Sequence, residues 1–346
     1  MSRAPSASEV GGAATGGAPG VPSLLRRALQ LALLAAGAAL LIGLVRGIGV
    51  GRAARDLAGF GWGFAVVIGL ELLVDAANTL GWRATFVAGP PVPVTRLFWI
   101  RLAGTAFNQL TPTATVGGEL VKAALLRPSA STSAAVASLI AARMSYAVGQ
   151  AVLVLIGLAA LLARLEGAPE LAWAVVGAFV LTLAGVLGFI LLQRRGVFAD
   201  LVAGAGRFGL PAAPRARLRA GGAALDRHLG VLYRRHPGAF AASVAWHLVG
   251  QALGLLQLWC ILQWLGAPAT LVTCLALEAF AVVVDSAMFL VPARIGVQEG
   301  GRVLVFTALG FGAATGLAVA LIVRLTQLAS AGLGLAAYAV LSLRGP

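Results

Sequence analysis

Four long windows of the chain carry no charged side chain, and this feature constrains the fold more than any other. They are residues 28–45, 146–163, 171–192 and 237–277. About 20 apolar residues are enough for a helix to cross the ~30 Å hydrocarbon core of a bilayer. Only 11% of the 346 residues are charged and 60% are hydrophobic, which leaves too little polar surface for a soluble globule. The sequence therefore predicts an all-α polytopic membrane protein and excludes a soluble enzyme.

The longest polar stretch, residues 193–237, is strongly basic, with nine arginines against two aspartates. Because cytoplasmic loops are enriched in Arg and Lys, it is predicted to be a cytoplasmic Arg-rich loop. Counting outward from it places the N- and C-termini in the cytoplasm, with a disordered tail at 1–23 and a single membrane domain at 24–343. About six transmembrane helices are predicted, near 24–46, 60–82, 134–163, 171–193, 238–264 and 313–342.

Two further segments, 94–127 and 272–310, are apolar but interrupted. Each contains charged residues and a proline near its middle, Pro112 in the first and Pro292 in the second. Proline and glycine end helices, and broken backbone at membrane depth is tolerated where protein or water satisfies it. Each segment is predicted to form a re-entrant helical hairpin. Beyond the second, either 310–312 (Gly-Phe-Gly) separates the hairpin from one long last helix, or 303–343 forms two full spans; the internal repeat of the two hairpins favours the first.

The two hairpins contain the same pattern, P-x6-E-x2-[K/R], followed 24 or 25 residues after the glutamate by an arginine within the membrane. Three full spans separate the copies, and an odd number inverts the second copy relative to the first. Inverted repeats with broken helices are a transporter architecture. We therefore predict an inverted repeat, with copy one at about 60–163 and copy two at about 238–342. The matching residues are Pro112, Glu119, Lys122 and Arg143, and Pro292, Glu299, Arg302 and Arg324.

Charged side chains within the predicted membrane segments imply an interior polar site, because each isolated charge there costs at least about 2.5 kcal/mol. A glutamate and a cation three residues apart lie on one helix face and can neutralise each other. Glu119/Lys122 and Glu299/Arg302 are predicted to form two gates, and Arg143 and Arg324 to hold a head group. The alternative is that these pairs only lock hairpins to helices.

Three other polar residues in predicted spans are candidates for a role. Glu71 and Asp75 are four residues apart, and two close carboxylates disfavour double ionisation, which makes them a candidate for proton coupling. His247 is expected to be a satisfied interior histidine. No HExxH, Walker A or G-x-S-x-G motif and no Cys/His cluster occurs, so we expect no enzyme activity, no metal and no cofactor. The net charge of +14 comes without any nucleic-acid-binding pattern, so we expect no nucleic-acid partner.

The segments AFNQLTPTATVGGELVKAALLR and FLVPARIGVQEGG resemble the flippase-like membrane family that includes the transmembrane region of lysylphosphatidylglycerol synthases. The block from VAWHLVGQ to VPARIGVQEGG is similar to members associated with hopanoid biosynthesis. The resemblance covers about residues 25–343 and implies movement of a lipid between leaflets rather than its synthesis. The residues that carry it are Asn108, Pro112, Gly118, Glu119, Arg143, Pro292, Gly296 and Glu299.

Together these features predict a lipid translocator of the bacterial inner membrane. Its expected partner is a membrane lipid with a polar or anionic head group, which passes through a cavity between the repeats. A membrane-embedded lipid-modifying transferase and a scaffold for lipid-biosynthetic enzymes are the alternatives.

Overall fold

The computed structural model describes residues 42, 46, 50–87, 92–110, 116–127, 129–162, 169–194, 212–267, 269–287 and 296–343. Within these ranges every regular element is a helix and there is no strand, which confirms the all-α class. The predicted tail at 1–23, most of the first predicted span, Pro112 and Pro292 lie outside the described residues.

Eleven helices are described in chain order. They are α1 (Val50–Phe60), α2 (Gly63–Ala84), α3 (Val94–Leu110), α4 (Val116–Leu126), α5 (Thr132–Leu162), α6 (Pro169–Arg194), α7 (Ala212–Arg235), α8 (Pro237–Trp264), α9 (Leu271–Ala287), α10 (Val297–Ala308) and α11 (Ala313–Leu343).

Four helices of the described part, α2, α5, α8 and α11, are long and apolar enough to cross a membrane. The chain is therefore a multi-pass membrane protein. These helices begin and end within three residues of the spans predicted from the sequence, because apolar length decided both. The sequence also predicts a span at α6, which is a 26-residue helix.

The predicted Arg-rich loop contains helix α7. Leu225, Leu229 and Leu232 recur at helical spacing and are buried against alanines of α5. The last two arginines of the helix, Arg234 and Arg235, are exposed. A helix with one apolar stripe buries that stripe against the bundle and keeps its charges in water, so the polar composition that suggested a loop describes only the outer face of α7.

Both predicted hairpins appear as pairs of short helices. Helices α3 and α4 form the first pair and α9 and α10 the second, and each helix has 11 to 17 residues, which is shorter than a full span of about 20. The predicted break before the last helix is present, since Gly310 and Gly312 have φ of 84° and 82° between α10 and α11. The re-entrant course of the hairpins stays a prediction.

Helices of one half of the bundle pack mainly on helices of the other half; the halves are α2–α5 and α8–α11. Helices α2 and α8 pack together at the centre, α3 packs on α11, and α9 packs on α5. Each hairpin thus rests on the long final helix of the other half. This is the arrangement expected when two related halves intertwine, whereas their inverted orientation remains a prediction.

Segments assigned to the same side of the membrane cluster together. Residues at the end of α2, the start of α5 and α7, all predicted to be cytoplasmic, share one apolar cluster. The start of α2, the end of α8 and the α10–α11 turn, all predicted to be outside, share another. Trp62, Trp173 and Trp264 are exposed near this second end, as in the aromatic belt of a membrane interface.

The orientation can be tested with single cysteines. After Cys260 and Cys274 are replaced by Ala, cysteines are placed at Thr270 and Thr95, which are both exposed at the start of a hairpin arm. We expect a membrane-impermeant thiol reagent on intact cells to label position 270 and spare position 95, because inverted hairpins open to opposite sides. Opening the membrane should expose position 95 as the control. Labelling of both positions from outside would refute the inverted orientation.

Candidate functional site

A polar cavity of about 290 Å³ lies among α2, α3, α4, α5 and α8. We call it the first chamber. Polar side chains within an apolar bundle require partners or water, so such a chamber is where function is expected. Three acids and three bases line it, namely Glu71, Asp75, Glu119, Arg101, Lys122 and Arg143.

The predicted pairing of Glu119 with Lys122 is confirmed. Lys122 Nζ donates to Glu119 Oε1 at 2.8 Å. The lysine is buried, whereas the side chain of Glu119 is 38% exposed. On one turn of α4, Lys122 is therefore buried in the bundle, and its counter-ion Glu119 lies at the more exposed edge of the chamber wall.

A second ion pair in the first chamber joins two elements. Arg101 Nε of α3 donates to Asp75 Oδ1 of α2 at 3.1 Å. Sequence reasoning placed Asp75 beside Glu71 but gave Arg101 no role, because 26 residues separate Arg101 from Asp75 and no local spacing indicates the pair. The contact ties the first hairpin to the central helix.

The two carboxylates of α2 have different partners. Glu71 Oε2 accepts a hydrogen bond from Gln257 Nε2 at 3.1 Å, while Asp75 is held by arginine. Among the described residues no cation forms an ion pair with Glu71. Glu71 thus lies four residues from a second carboxylate and has no cation of its own in the described part of the chain, which is the situation that suggested proton coupling. The proton-coupling role remains a prediction.

Arg143 and two aromatic residues form the wall of the first chamber on the α5 side. The guanidinium of Arg143 lies 6.0 Å from the ring centroid of Tyr146, and that ring meets His247 edge-on at 5.5 Å. Arg143 is exposed and forms no ion pair with any described residue. Its charge is therefore available to a ligand, as predicted for this position.

His247 is only half satisfied, which corrects the sequence expectation. Its Nδ1 bonds Asn78 Oδ1 at 2.7 Å, and since an amide oxygen only accepts, Nδ1 carries the proton. Nε2 is buried with no hydrogen-bond partner in the described structure. Asn78 lies 169 residues from His247 in the sequence, so no local spacing indicates this hydrogen bond.

Asn108 and Gly118 shape the first hairpin. The backbone N–H of Gly118, in the first turn of α4, donates to Asn108 Oδ1 of α3 at 2.7 Å, which satisfies one of the orphan donors at the helix start. A Cβ on Gly118 would collide with the Gly104 carbonyl oxygen. Both residues therefore hold the two arms of the first hairpin together.

In the second half Glu299 pairs with a different residue from the one predicted. Arg324 of α11 donates to Glu299 Oε1 at 2.7 Å from Nη2 and 2.8 Å from Nε. The other oxygen, Oε2, accepts the backbone N–H of Gly296 at 2.7 Å. Gly296 has φ of 77°, a conformation that glycine adopts without strain. Because Glu299 turns back to its own helix start, it faces α11, and the expected Glu299–Arg302 pair is not formed.

Arg302 instead lines a second chamber of about 140 Å³. Val74, Asn78 and Tyr146 line both chambers, so the second chamber lies next to the first across one wall. The other polar lining residues are Gln150, Gln251, Gln257 and Glu278. Sequence reasoning placed Gln251 on the same face as His247 but missed Gln150 and Gln257. Gln257 continues the polar and glycine stripe of α8 at helical spacing.

The predicted site residues thus fall into two groups. The structure brings Glu71, Asp75, Asn108, Glu119, Lys122 and Arg143 to the first chamber, and Glu299, Arg302 and Arg324 to a small crevice between α10 and α11. In each group one glutamate has two candidate cations beside it. Glu119 uses the cation three residues ahead, and Glu299 uses the one on the long helix.

Apolar spanning helices around two polar chambers define the class: the chain is a polytopic all-α membrane protein with an internal polar site. Residues 27–334 match the family described as "Lysylphosphatidylglycerol synthase TM region". The chain belongs to this family, which makes it a membrane protein of lipid metabolism. No curated protein and no solved structure matches it. The family expected from the sequence is confirmed, and the hopanoid-associated subgroup stays a prediction.

Proposed function

We propose that the chain is a translocator that moves a lipid with a polar or anionic head group between the leaflets of the bacterial inner membrane. The head group passes through the two chambers while the acyl chains stay in the bilayer. Family membership and the polar chambers within the helical bundle support this proposal. The termini lie in the cytoplasm, and the protein makes and breaks no covalent bond in the lipid.

One observation carries the proposal. The halves hold equivalent glutamates in different pairings, Glu119 with Lys122 and Glu299 with Arg324. In a transporter built from inverted repeats, the two halves adopt opposite states, and exchanging the states opens the site to the other side. The exchange here is a change of partner, with Glu119 moving to Arg143 and Glu299 moving to Arg302.

The chambers supply the charges for such an exchange. Arg143 shares the first chamber with Glu119, and Arg302 shares the crevice with Glu299. Neither arginine forms an ion pair with a described residue. Because each glutamate stays near a cation in both states, the exchange avoids leaving an unpaired carboxylate in the membrane, which would cost several kcal/mol.

The proposal is tested in liposomes containing purified protein and phosphatidylglycerol that carries a fluorophore on one acyl chain. We expect the wild type to transfer label between leaflets, as read by a quencher that reaches only the outer leaflet. Arg143→Gln should slow the transfer at least tenfold, because it removes the second partner of Glu119.

Arg127→Gln is the matched control, since Arg127 is an exposed arginine near the end of the same hairpin. It should transfer label at the wild-type rate. A change in lipid mass without a change in sidedness would favour the lipid-modifying transferase. Unchanged sidedness and mass, together with co-purified biosynthetic enzymes, would favour the scaffold.

A further inference from the structure

The second chamber has an apolar wall in which most of the polar groups are uncharged. Four amide side chains, Asn78, Gln150, Gln251 and Gln257, face it with the Tyr146 ring. An amide presents both donors and an acceptor without net charge, and a hydroxyl group also donates and accepts. The polar part of the lining therefore matches a ligand rich in hydroxyl groups better than one with a formal charge.

The charges around both chambers balance. The first chamber has three acids and three bases, and the second has one of each, Glu278 and Arg302. No ion pair joins either of these two to any residue of the described ranges. A ligand with net charge would leave an uncompensated charge in a low-dielectric interior, which is costly. The described lining thus favours a head group without net charge.

Two buried acceptors of α8 lack donors in the described structure. They are Gln251 Oε1 and His247 Nε2, which lie four residues apart. Gln251 lines the second chamber and His247 lines the first. Gln251 uses its amide nitrogen on the Tyr146 carbonyl oxygen at 3.4 Å, and His247 uses Nδ1 on Asn78. Unfilled buried acceptors cost free energy unless a ligand or water donates to them.

From these observations we propose that the second chamber binds an uncharged, hydroxyl-rich head group, such as a sugar or another polyol. The hydroxyls donate to Gln251 and accept from the amide nitrogens, and the Tyr146 ring gives the sugar an apolar face. The proposal rests on the proposed translocator function and narrows its substrate class. A site built to bond hydroxyls rejects a ligand that lacks them, because its polar groups are then left unpaired.

The test compares three lipids that carry the same acyl-chain fluorophore in the liposome assay. They are a monohexosyl diacylglycerol, phosphatidylglycerol and phosphatidylcholine. We expect the hexosyl lipid to be transferred at least tenfold faster than the other two. Gln251→Leu should remove that advantage, because leucine offers the sugar no hydrogen bond. Gln263→Leu, at an exposed glutamine in the last turn of the same helix, should retain it.

A second variant changes the charge balance and does not depend on removing an amide. Glu278→Gln leaves Arg302 as the charged residue of the second chamber, so transfer of phosphatidylglycerol should rise severalfold relative to the hexosyl lipid. Equal or faster transfer of either phospholipid by the wild type would overturn the polyol assignment and leave the translocator function standing. Transfer of none of the three lipids would instead count against the translocator function itself.

Discussion

Replacing Glu299 with glutamine is expected to lower stability by about 3–5 kcal/mol and to abolish lipid transfer. Glu299 is 2% exposed, and its carboxylate bonds both Arg324 and the backbone of Gly296. Removing one partner of a buried ion pair leaves the other charge uncompensated, and this sets the size of the effect. Thermal unfolding in detergent measures the loss of stability, and the leaflet assay measures the loss of transfer.

Two further variants separate the structural role of Glu299 from its role in the gate. Glu299→Gln combined with Arg324→Gln removes both charges, so it should regain much of the stability but not the transfer. Glu119→Gln should cost less stability than Glu299→Gln, because the Glu119 side chain is 38% exposed and water already weakens its ion pair. Glu299 is buried and bonds both Arg324 and Gly296. Normal transfer in the stable double variant would exclude the gating role of this pair.

The sequence predicted the features of the fold that depend on local composition. Spans α2, α5, α8 and α11 followed from apolar length, and the break after α10 followed from two closely spaced glycines, Gly310 and Gly312. The Glu119–Lys122 pair followed from helical spacing within one turn. The spans, the glycine break and the ion pair each depend on residues less than about 30 positions apart. Over such distances the geometry of one helix decides which side chains can be in contact.

Contacts between distant elements could not be predicted in the same way. Spacing predicted that Glu299 pairs with Arg302, three residues ahead, as Glu119 pairs with Lys122. The turn at Gly296 instead directs the Glu299 carboxylate to Arg324. Arg101 meets Asp75 because α3 crosses α2, which no spacing in one helix encodes. Gln150 and Gln257 of the second chamber were overlooked because an uncharged side chain carries no formal charge that would require a partner within an apolar span.

Replacing Gly334 with alanine is expected to disrupt the packing between the two halves. A Cβ at Gly334 in α11 would collide with the backbone carbonyl oxygen of Leu102 in α3 and would lie 2.8 Å from the Ala106 Cβ. Because backbone cannot yield as a flexible side chain does, α3 must shift away from α11. Overpacking of this kind costs about 1–3 kcal/mol, so most of the variant should still fold. Because the shift of α3 also moves Arg101 and Asn108, the rate of lipid transfer should fall even in the folded protein.

Gly332→Ala is the matched control in the same helix. Nothing lies within 4 Å of a Cβ at Gly332, which is exposed, and alanine in an exposed helix stabilises by roughly 0.5–1 kcal/mol relative to glycine. The two substitutions, two residues apart, should therefore change the unfolding temperature in opposite directions. Equal stability of both variants would mean that α3 and α11 do not approach this closely. The first hairpin would then not rest on the last helix, and the intertwined arrangement that brings both halves to one polar site would be lost with it.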